Sequence, residues 1–195
     1  MTSRFRRKLG QRRYKRMFVI VAEGTVTEQE YFALFGEESI VRVKCLRNRR
    51  NLPPRDALRR VRDYVLEEGL RSTDEAWVVV DRNGWLDEHL AELHAWSREK
   101  TNYGFALSNP KFEFWLLLHF EDAAGAVTGD ECDRRLARHL RDYDKHINAA
   151  DFTGERVQNA VDRARSRDNP PCVGWPQYVG TTVYRLVERI LQTTA

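Results

Sequence analysis

The sequence is poor in cysteine and in long apolar runs. Its three cysteines, Cys45, Cys132 and Cys172, lie far apart, match no zinc-binding spacing and leave an odd number for disulfide pairing. No apolar stretch approaches the roughly 18 residues that a membrane-spanning helix needs. The cationic N-terminus and the short apolar run after it are unlike a secretory signal. We therefore expect a cytoplasmic protein with reduced cysteines and no membrane segment.

The chain also lacks the short motifs of several enzyme classes. It contains no Gly-x-x-x-x-Gly-Lys-Ser/Thr loop for ATP, so a partner would have to supply any ATP-driven step. It contains no Gly-x-Ser-x-Gly elbow and no Cys-His pairing, which argues against covalent catalysis by a serine or cysteine nucleophile.

Positive charge is concentrated at the N-terminus and in one internal segment. Residues 1–16 hold eight Lys or Arg and no acid, which leaves 25 basic and 29 acidic residues in 17–195. Residues 42–62 hold nine Lys or Arg and a single acid, Asp56. Such segments often contact phosphate backbones, but a solubilising leader and a solvated helix face explain them equally well. The residues expected to contact nucleic acid in these segments are Arg12, Arg13, Arg47, Arg49 and Arg50.

Strand patterns are confined to the first two thirds of the chain. Phe18 to Ala22 and Ala76 to Val80 are wholly apolar, which is typical of strands buried on both faces of a parallel sheet. Residues 39–46, nearer the sheet edge, and residues 103–107 are predicted as two further strands. We predict an α/β fold with a mostly parallel sheet of about four strands flanked by helices.

Helical patterns connect these strands and fill the C-terminal third. Thr27 and Glu30 fit a capping box at the start of the first helix. Residues 110–120 are predicted as a buried helix with a proline in its first turn, and helices near 129–142, 154–167 and 180–192 follow. Residues 1–16 are predicted as a basic arm and residues 17–195 as a single domain. That domain is divided into a core of 17–122 and a helical extension of 123–195.

Three acidic residues occur where predicted strands end. Glu23 follows the first strand, Asp81 follows the third, and Glu113 lies in the first turn of the helix after the fourth. Ligand sites of open parallel sheets lie beyond the carboxyl ends of the strands. Converging carboxylates repel one another unless a cation joins them. Each acid alone is explained as a helix cap or a loop residue, whereas the three together predict a site for Mg²⁺ or Mn²⁺.

Several stretches resemble the motifs of RloB-like proteins. VIVAEGTVTEQEYF at 19–32 resembles the opening motif of that family, VVVDRN at 78–83 its second motif, and SNPKFEFWLLLHF at 108–120 its most recognisable signature. Tyr143 with Lys145, and the Asn169-Pro170 pair, fit the C-terminal part of the family. The resemblance covers nearly all of the chain after residue 16.

The resemblance implies a Toprim-like fold, because RloB-like proteins are similar to Toprim domains. In Toprim domains a glutamate after the first strand acts as general acid or base, and an Asp-x-Asp after the third strand holds magnesium. Glu23 would take the first role and Asp81 the leading metal position. Asn83 stands where the second aspartate is expected. Its amide oxygen can bind magnesium but adds no negative charge, so either the metal affinity is expected to fall or the metal is expected to depend more on Glu113.

Two lysines are further candidates. Lys111 is expected to steady the scissile phosphate, with a solvent-facing lysine as the alternative. Lys145 is expected to bind phosphate, with a helix-end contact as the alternative. His119 lies on an apolar face and is expected to be a core histidine, and Trp85 is expected either in the core or against substrate.

The resemblance implies a metal-dependent nuclease that cleaves RNA, including tRNA, or DNA, as an effector of bacterial antiphage defence linked to restriction or abortive infection. It also implies an ATPase partner of the ABC or SMC-like kind, and assembly of several copies is left open. The alternative is a catalytically weak or inactive nucleic-acid-binding or sensor subunit of an ATPase-containing defence complex. The missing carboxylate at Asn83 favours that alternative.

Overall fold

The computed structural model describes residues 15–36, 40–48, 50–82, 84–141 and 143–194. Four residues predicted to contact nucleic acid or metal lie outside these ranges, namely Arg12, Arg13, Arg49 and Asn83. The described part contains seven α-helices, one short 3-10 helix and five strands. The division into a basic arm and a single domain stays a prediction.

Strands and helices alternate along the first half of the chain. They are β1 (Arg16–Ala22), α1 (Thr27–Ala33), β2 (Val41–Cys45), α2 (Pro54–Glu68), β3 (Glu75–Asp81), α3 (Asp87–Ser97) and β4 (Tyr103–Asn109). The rest of the chain contributes α4 (Phe112–Leu117), α5 (Gly129–His139), a 3-10 helix (Ala149–Asp151), α6 (Gly154–Arg167), β5 (Gly180–Thr181) and α7 (Val183–Thr194).

The five strands form one sheet in the order β2-β1-β3-β4-β5. The first four are parallel, which confirms the predicted mostly parallel sheet, and β2 lies at its edge. The two-residue β5 pairs antiparallel with the end of β4. It was not predicted because two residues are too few to show an alternating pattern. Since residues 180–181 belong to this strand, the last helix begins at Val183 and not near residue 180.

The sheet is covered on both faces, which explains the wholly apolar strands. Along β1, Phe18 and Ile20 belong to a core shared with α1 and with the C-terminal helices α4 to α7, whereas Val21 belongs to a second core shared with α2 and α3. Along β3, Trp77 and Val78 divide in the same way. Successive side chains of a strand point to opposite faces, so each strand supplies both cores.

Helix α4 is buried along its whole length but is shorter than predicted. Its six residues are fully enclosed, and Leu118 ends the helix where residues 118–120 turn. Pro110 precedes the helix and Lys111 occupies the N-cap position, so the proline does not lie in the first helical turn. None of the helices in the described ranges is long and apolar enough to cross a lipid bilayer.

Candidate functional site

Glu23 lies at the carboxyl end of β1 and is held against β3. Its backbone N–H donates to the carbonyl oxygen of Val79 at 2.9 Å, which extends the β1–β3 pairing by one residue. Its carboxylate Oε2 accepts hydrogen bonds from the backbone N–H of Asp81 at 3.1 Å and from Nε1 of Trp85 at 3.4 Å. Parallel pairing therefore brings Glu23 and Asp81 together.

Asp81 is the last residue of β3 and is surrounded by other acids. Loss of hydration, together with the negative charges of Glu28, Glu23 and Glu113, raises the pKa of Asp81 well above its usual range. Such a carboxyl gains from any cation that enters the site, because the cation favours its ionised form.

Glu28 is a fourth acid of the site, and the sequence analysis did not single it out. It is buried in the first turn of α1, and its Oε1 accepts a hydrogen bond from the backbone N–H of Gly24 at 3.1 Å. A Cβ added at Gly24 would meet the Glu28 carboxylate, so a larger residue there would displace that side chain. Burial, with repulsion from Glu113 and Glu23, raises the pKa of Glu28 to about 7. The sequence feature that points to Glu28 is its position in the first turn of the helix that follows the carboxyl end of β1.

Glu113 lies in the first turn of α4 and contacts both predicted lysines. The ammonium of Lys145 contacts Oε1 of Glu113, and the hydroxyl of Tyr143 donates to the same oxygen at 3.3 Å. Nζ of Lys111 lies 3.8 Å from Oε2. The site therefore combines buried carboxylates with two cations from different segments.

The segment that carries Lys145 is fastened to α1. Thr27 Oγ1 donates to the carbonyl oxygen of Lys145 at 2.8 Å. The Glu30 carboxylate accepts from the backbone N–H of Ile147 at 2.7 Å and contacts Nδ1 of His146 at 2.8 Å. The predicted capping box is wrong, because the helix is entered without a side-chain cap and both residues hold this segment instead.

These groups line one pocket of about 380 Å³. Glu28, Asp81 and Glu113 contribute acids, Lys111 and Lys145 contribute cations, and residues 24–27, Asn51 and Phe112 complete the wall. Glu23 adjoins this pocket through its hydrogen bond to Asp81.

The donor chemistry of the pocket suits a hard divalent cation. Within the described ranges, no three His, Cys, Asp or Glu side chains converge closely enough to form a ready-made metal cage. Mg²⁺ does not require one, because it is commonly held by one or two carboxylates and keeps several waters. Burial, together with repulsion between the acids, raises the pKa values of Asp81 and Glu28, and a cation in the pocket would favour their ionised forms. The oxygen donors present fit Mg²⁺ or Mn²⁺ on these grounds.

Comparison with known proteins identifies the family. The sequence matches the family model described as RloB-like protein over residues 18–190, from β1 into α7. The chain belongs to the RloB-like family. The match includes every residue that lines the pocket. No curated protein and no solved structure gives a significant match.

In this RloB-like chain, the loop between β2 and α2 borders the acidic pocket. Nδ2 of Asn48 donates to the carbonyl oxygen of Ala22 at 2.6 Å, which ties the loop to the end of β1. Arg47 is exposed, and the side chain of Arg50 is 79% exposed with its guanidinium 3.8 Å from Asp56. The loop thus presents two accessible cations, and its residue Asn51 lines the acidic pocket.

The remaining arginines of this basic segment have a different role in the RloB-like fold. Arg55 pairs with Glu92 at 3.1 Å, and Arg62 pairs with Glu99 at 3.0 Å. These exposed ion pairs join α2 to α3 and to the turn that follows it. The part of the segment that lies in α2 is therefore largely a solvated helix face, whereas Arg47 and Arg50 precede that helix.

His119 of the RloB-like chain is a core residue, as expected. It is 2% exposed, and Nε2 lies 3.0 Å from the hydroxyl of Tyr31 while Nδ1 lies 3.1 Å from the carbonyl oxygen of Trp115. Burial lowers the pKa of His119 to about 3, so the ring is neutral. Trp77, Trp96 and Trp115 are likewise buried.

Proposed function

We propose that this RloB-like protein is a Mg²⁺- or Mn²⁺-dependent nuclease with a Toprim-like site. The observation that carries the proposal is the meeting of Glu23 and Asp81 at the carboxyl ends of adjacent parallel strands, beside a pocket that also contains Glu28 and Glu113. A phosphodiester is an anion, and a cluster of acids accepts it only if a cation lies between them. The buried acids, the two lysines and the exposed arginines together support a phosphodiester substrate.

Asp81 would hold the metal in this proposal, together with Glu28 or Glu113. When bound, the ion would supply stabilisation of negative charge on the phosphate oxygens and activation of water. Glu28 would provide the second carboxylate that the sequence lacks at Asn83, so the departure from the Asp-x-Asp pattern need not abolish metal binding.

Glu23 would move a proton to or from the reacting oxygen. Its carboxylate is fixed by donors from Asp81 and Trp85, so it keeps one orientation beside the pocket. Lys111 would face the scissile phosphate, since a charged donor there opposes the negative charge that develops during cleavage. Lys145 and the loop arginines Arg47 and Arg50 would hold the phosphate backbone on either side.

The biological role we propose is that of an effector in bacterial antiphage defence. RNA, including tRNA, and DNA are the substrate classes that the family resemblance suggests. The sequence contains no ATP-binding loop, so an ATP-driven trigger would come from an ABC or SMC-like ATPase partner.

The proposal is tested by incubating the purified protein with tRNA, single-stranded RNA, single-stranded DNA and duplex DNA in Mg²⁺, Mn²⁺ or EDTA. Each reaction is run with and without a candidate ABC or SMC-like ATPase partner. Cleavage that requires the divalent ion is expected in at least one combination. Cleavage that persists in EDTA, or none in any combination, would contradict the proposal.

The second candidate is a nucleic-acid-binding or sensor subunit that does not cut. Two observations favour it, namely the amide at Asn83 and the lack of a ready-made carboxylate cage in the described ranges. Asn83→Asp discriminates the two candidates. A large gain in metal-dependent cleavage over an inactive wild type would identify a degenerate enzyme, and an inactive variant that still binds nucleic acid would identify a binding subunit.

A further inference from the structure

Lys111 is held in the pocket by a partner outside the acid cluster. Its Nζ donates to Oδ2 of Asp133 at 2.6 Å, whereas Oε2 of Glu113 lies 3.8 Å away. The lysine side chain is only 19% exposed. The direction of this ammonium group is therefore set mainly by Asp133, a residue of α5 that does not line the pocket.

Gly129 provides the space through which the lysine stem passes. It is the first residue of α5, and a Cβ added there would lie 3.1 Å from Cδ of Lys111. Residues four apart share one helix face. On this face of α5, the missing side chain at Gly129 leaves room for the methylenes of Lys111, and Asp133 supplies a carboxylate for its ammonium group.

Packing of α5 does not account for Asp133. The helix is anchored in the core by Cys132 and Leu136, whereas the Asp133 side chain is 44% exposed. Its Oδ1 is enclosed and makes no hydrogen bond with the described residues. The hydrogen bond that Oδ2 accepts from Lys111 is therefore the interaction that orients this carboxylate.

We propose that Asp133 is a positioning residue that, with Gly129, aims the Lys111 ammonium at the substrate phosphate; this inference rests on the proposed function. A lysine has a long flexible stem, so an unrestrained ammonium samples many positions. Fixing it before the substrate arrives preserves its alignment with the reacting phosphate.

A double-mutant cycle tests the proposal. Asp133→Asn, Lys111→Met and the double variant are compared with Glu131→Gln, which changes an acid on the same helix that pairs with exposed Arg134. Asp133→Asn is expected to lower kcat by about 10 to 100-fold with a smaller change in KM, since misplacement of a catalytic group acts mainly on the chemical step. Glu131→Gln is expected to keep the wild-type rate, and thermal unfolding confirms that each variant folds.

The loss of kcat caused by Asp133→Asn must depend on Lys111. In the Lys111→Met background, Asp133→Asn is expected to cause no further loss, because it acts through the lysine that has been removed. An equal loss in both backgrounds would overturn the proposal and assign Asp133 a separate role. Gly129→Ala is expected to lower kcat in the same direction without lowering the unfolding temperature, and an unchanged rate would remove Gly129 from the account.

A binding readout separates this proposal from the nuclease proposal. Affinity for a phosphorothioate oligonucleotide that resists cleavage is measured by fluorescence anisotropy for the same four proteins of the cycle. If wild type cuts nothing, the nuclease proposal fails, yet weaker binding in Asp133→Asn that disappears in the Lys111→Met background would still support the positioning role. Additive losses of affinity would overturn it.

Discussion

The carboxylate of Glu23 accepts a hydrogen bond from the backbone N–H of Asp81 at 3.1 Å, although the two residues are 58 positions apart in sequence. They meet because β1 and β3 are parallel neighbours whose carboxyl ends lie at the same edge of the sheet. The bond comes from backbone and not from a side chain, so it fixes Glu23 without consuming the Asp81 carboxyl. A group suited to moving protons and a group suited to binding a cation are thereby adjacent.

Substitution of either acid is expected to abolish cleavage without unfolding the protein. Glu23→Gln and Asp81→Asn keep the size of the side chain but remove its charge, and each is expected to lower the rate by at least about 100-fold. Initial rates on the substrate found in the metal screen measure the effect. Glu92→Gln, at an exposed acid paired with Arg55, is the matched control and is expected to keep full activity. A wild-type rate in Glu23→Gln would remove Glu23 from the chemistry.

The exposed arginines of the β2–α2 loop are expected to contribute to nucleic-acid affinity. Arg50→Ala is expected to weaken binding uniformly across sequences and to lower the slope of log K against log salt by about 1, because one phosphate contact is lost. Arg62→Ala, which breaks an ion pair with Glu99 on the α2 face, is the control and is expected to leave that slope unchanged. Equal effects of the two variants would mean that the basic segment acts only through its total charge.

Stability without divalent ions is expected to fall as pH rises, because of Glu28. Its pKa is raised from 4.5 to about 7 in the folded protein, so folding favours the protonated carboxyl. That stabilisation is fully present below pH 4.5 and is lost as pH rises through about 7, a change on the order of 3 kcal/mol. The raised pKa of Asp81 likewise makes the folded protein less stable as pH rises.

Urea unfolding at pH 5 and pH 8 in EDTA measures this effect. The free energy of unfolding of the wild type is expected to drop between the two values, and Glu28→Gln is expected to drop much less because its amide does not ionise. The control Glu92→Gln is expected to follow the wild type. A Glu28→Gln protein that loses stability as steeply as wild type would show that Glu28 is not the titrating group.

The sheet and three of its acids could be predicted from the sequence, because buried parallel strands are wholly apolar and the residues that end them are conspicuous. Glu28 was passed over, since an acid in a first helical turn is most often a solvated residue that favours the helix dipole. The two-residue β5 leaves no periodic signal, and the roles of Thr27 and Glu30 depend on a segment more than 100 residues away. Asp133 was missed for the same reason, because its partner Lys111 is brought to it only by tertiary packing.

We propose that Asp81 at the end of β3 binds a divalent cation together with an acid of α1 or α4, and Mn²⁺ binding followed by electron paramagnetic resonance measures this binding. Wild type is expected to bind Mn²⁺ in competition with Mg²⁺. Asp81→Asn and Glu28→Gln are each expected to weaken that binding by at least about tenfold, while Glu92→Gln leaves it unchanged. Absence of Mn²⁺ binding by the wild type, or binding that is insensitive to both substitutions, would contradict the account.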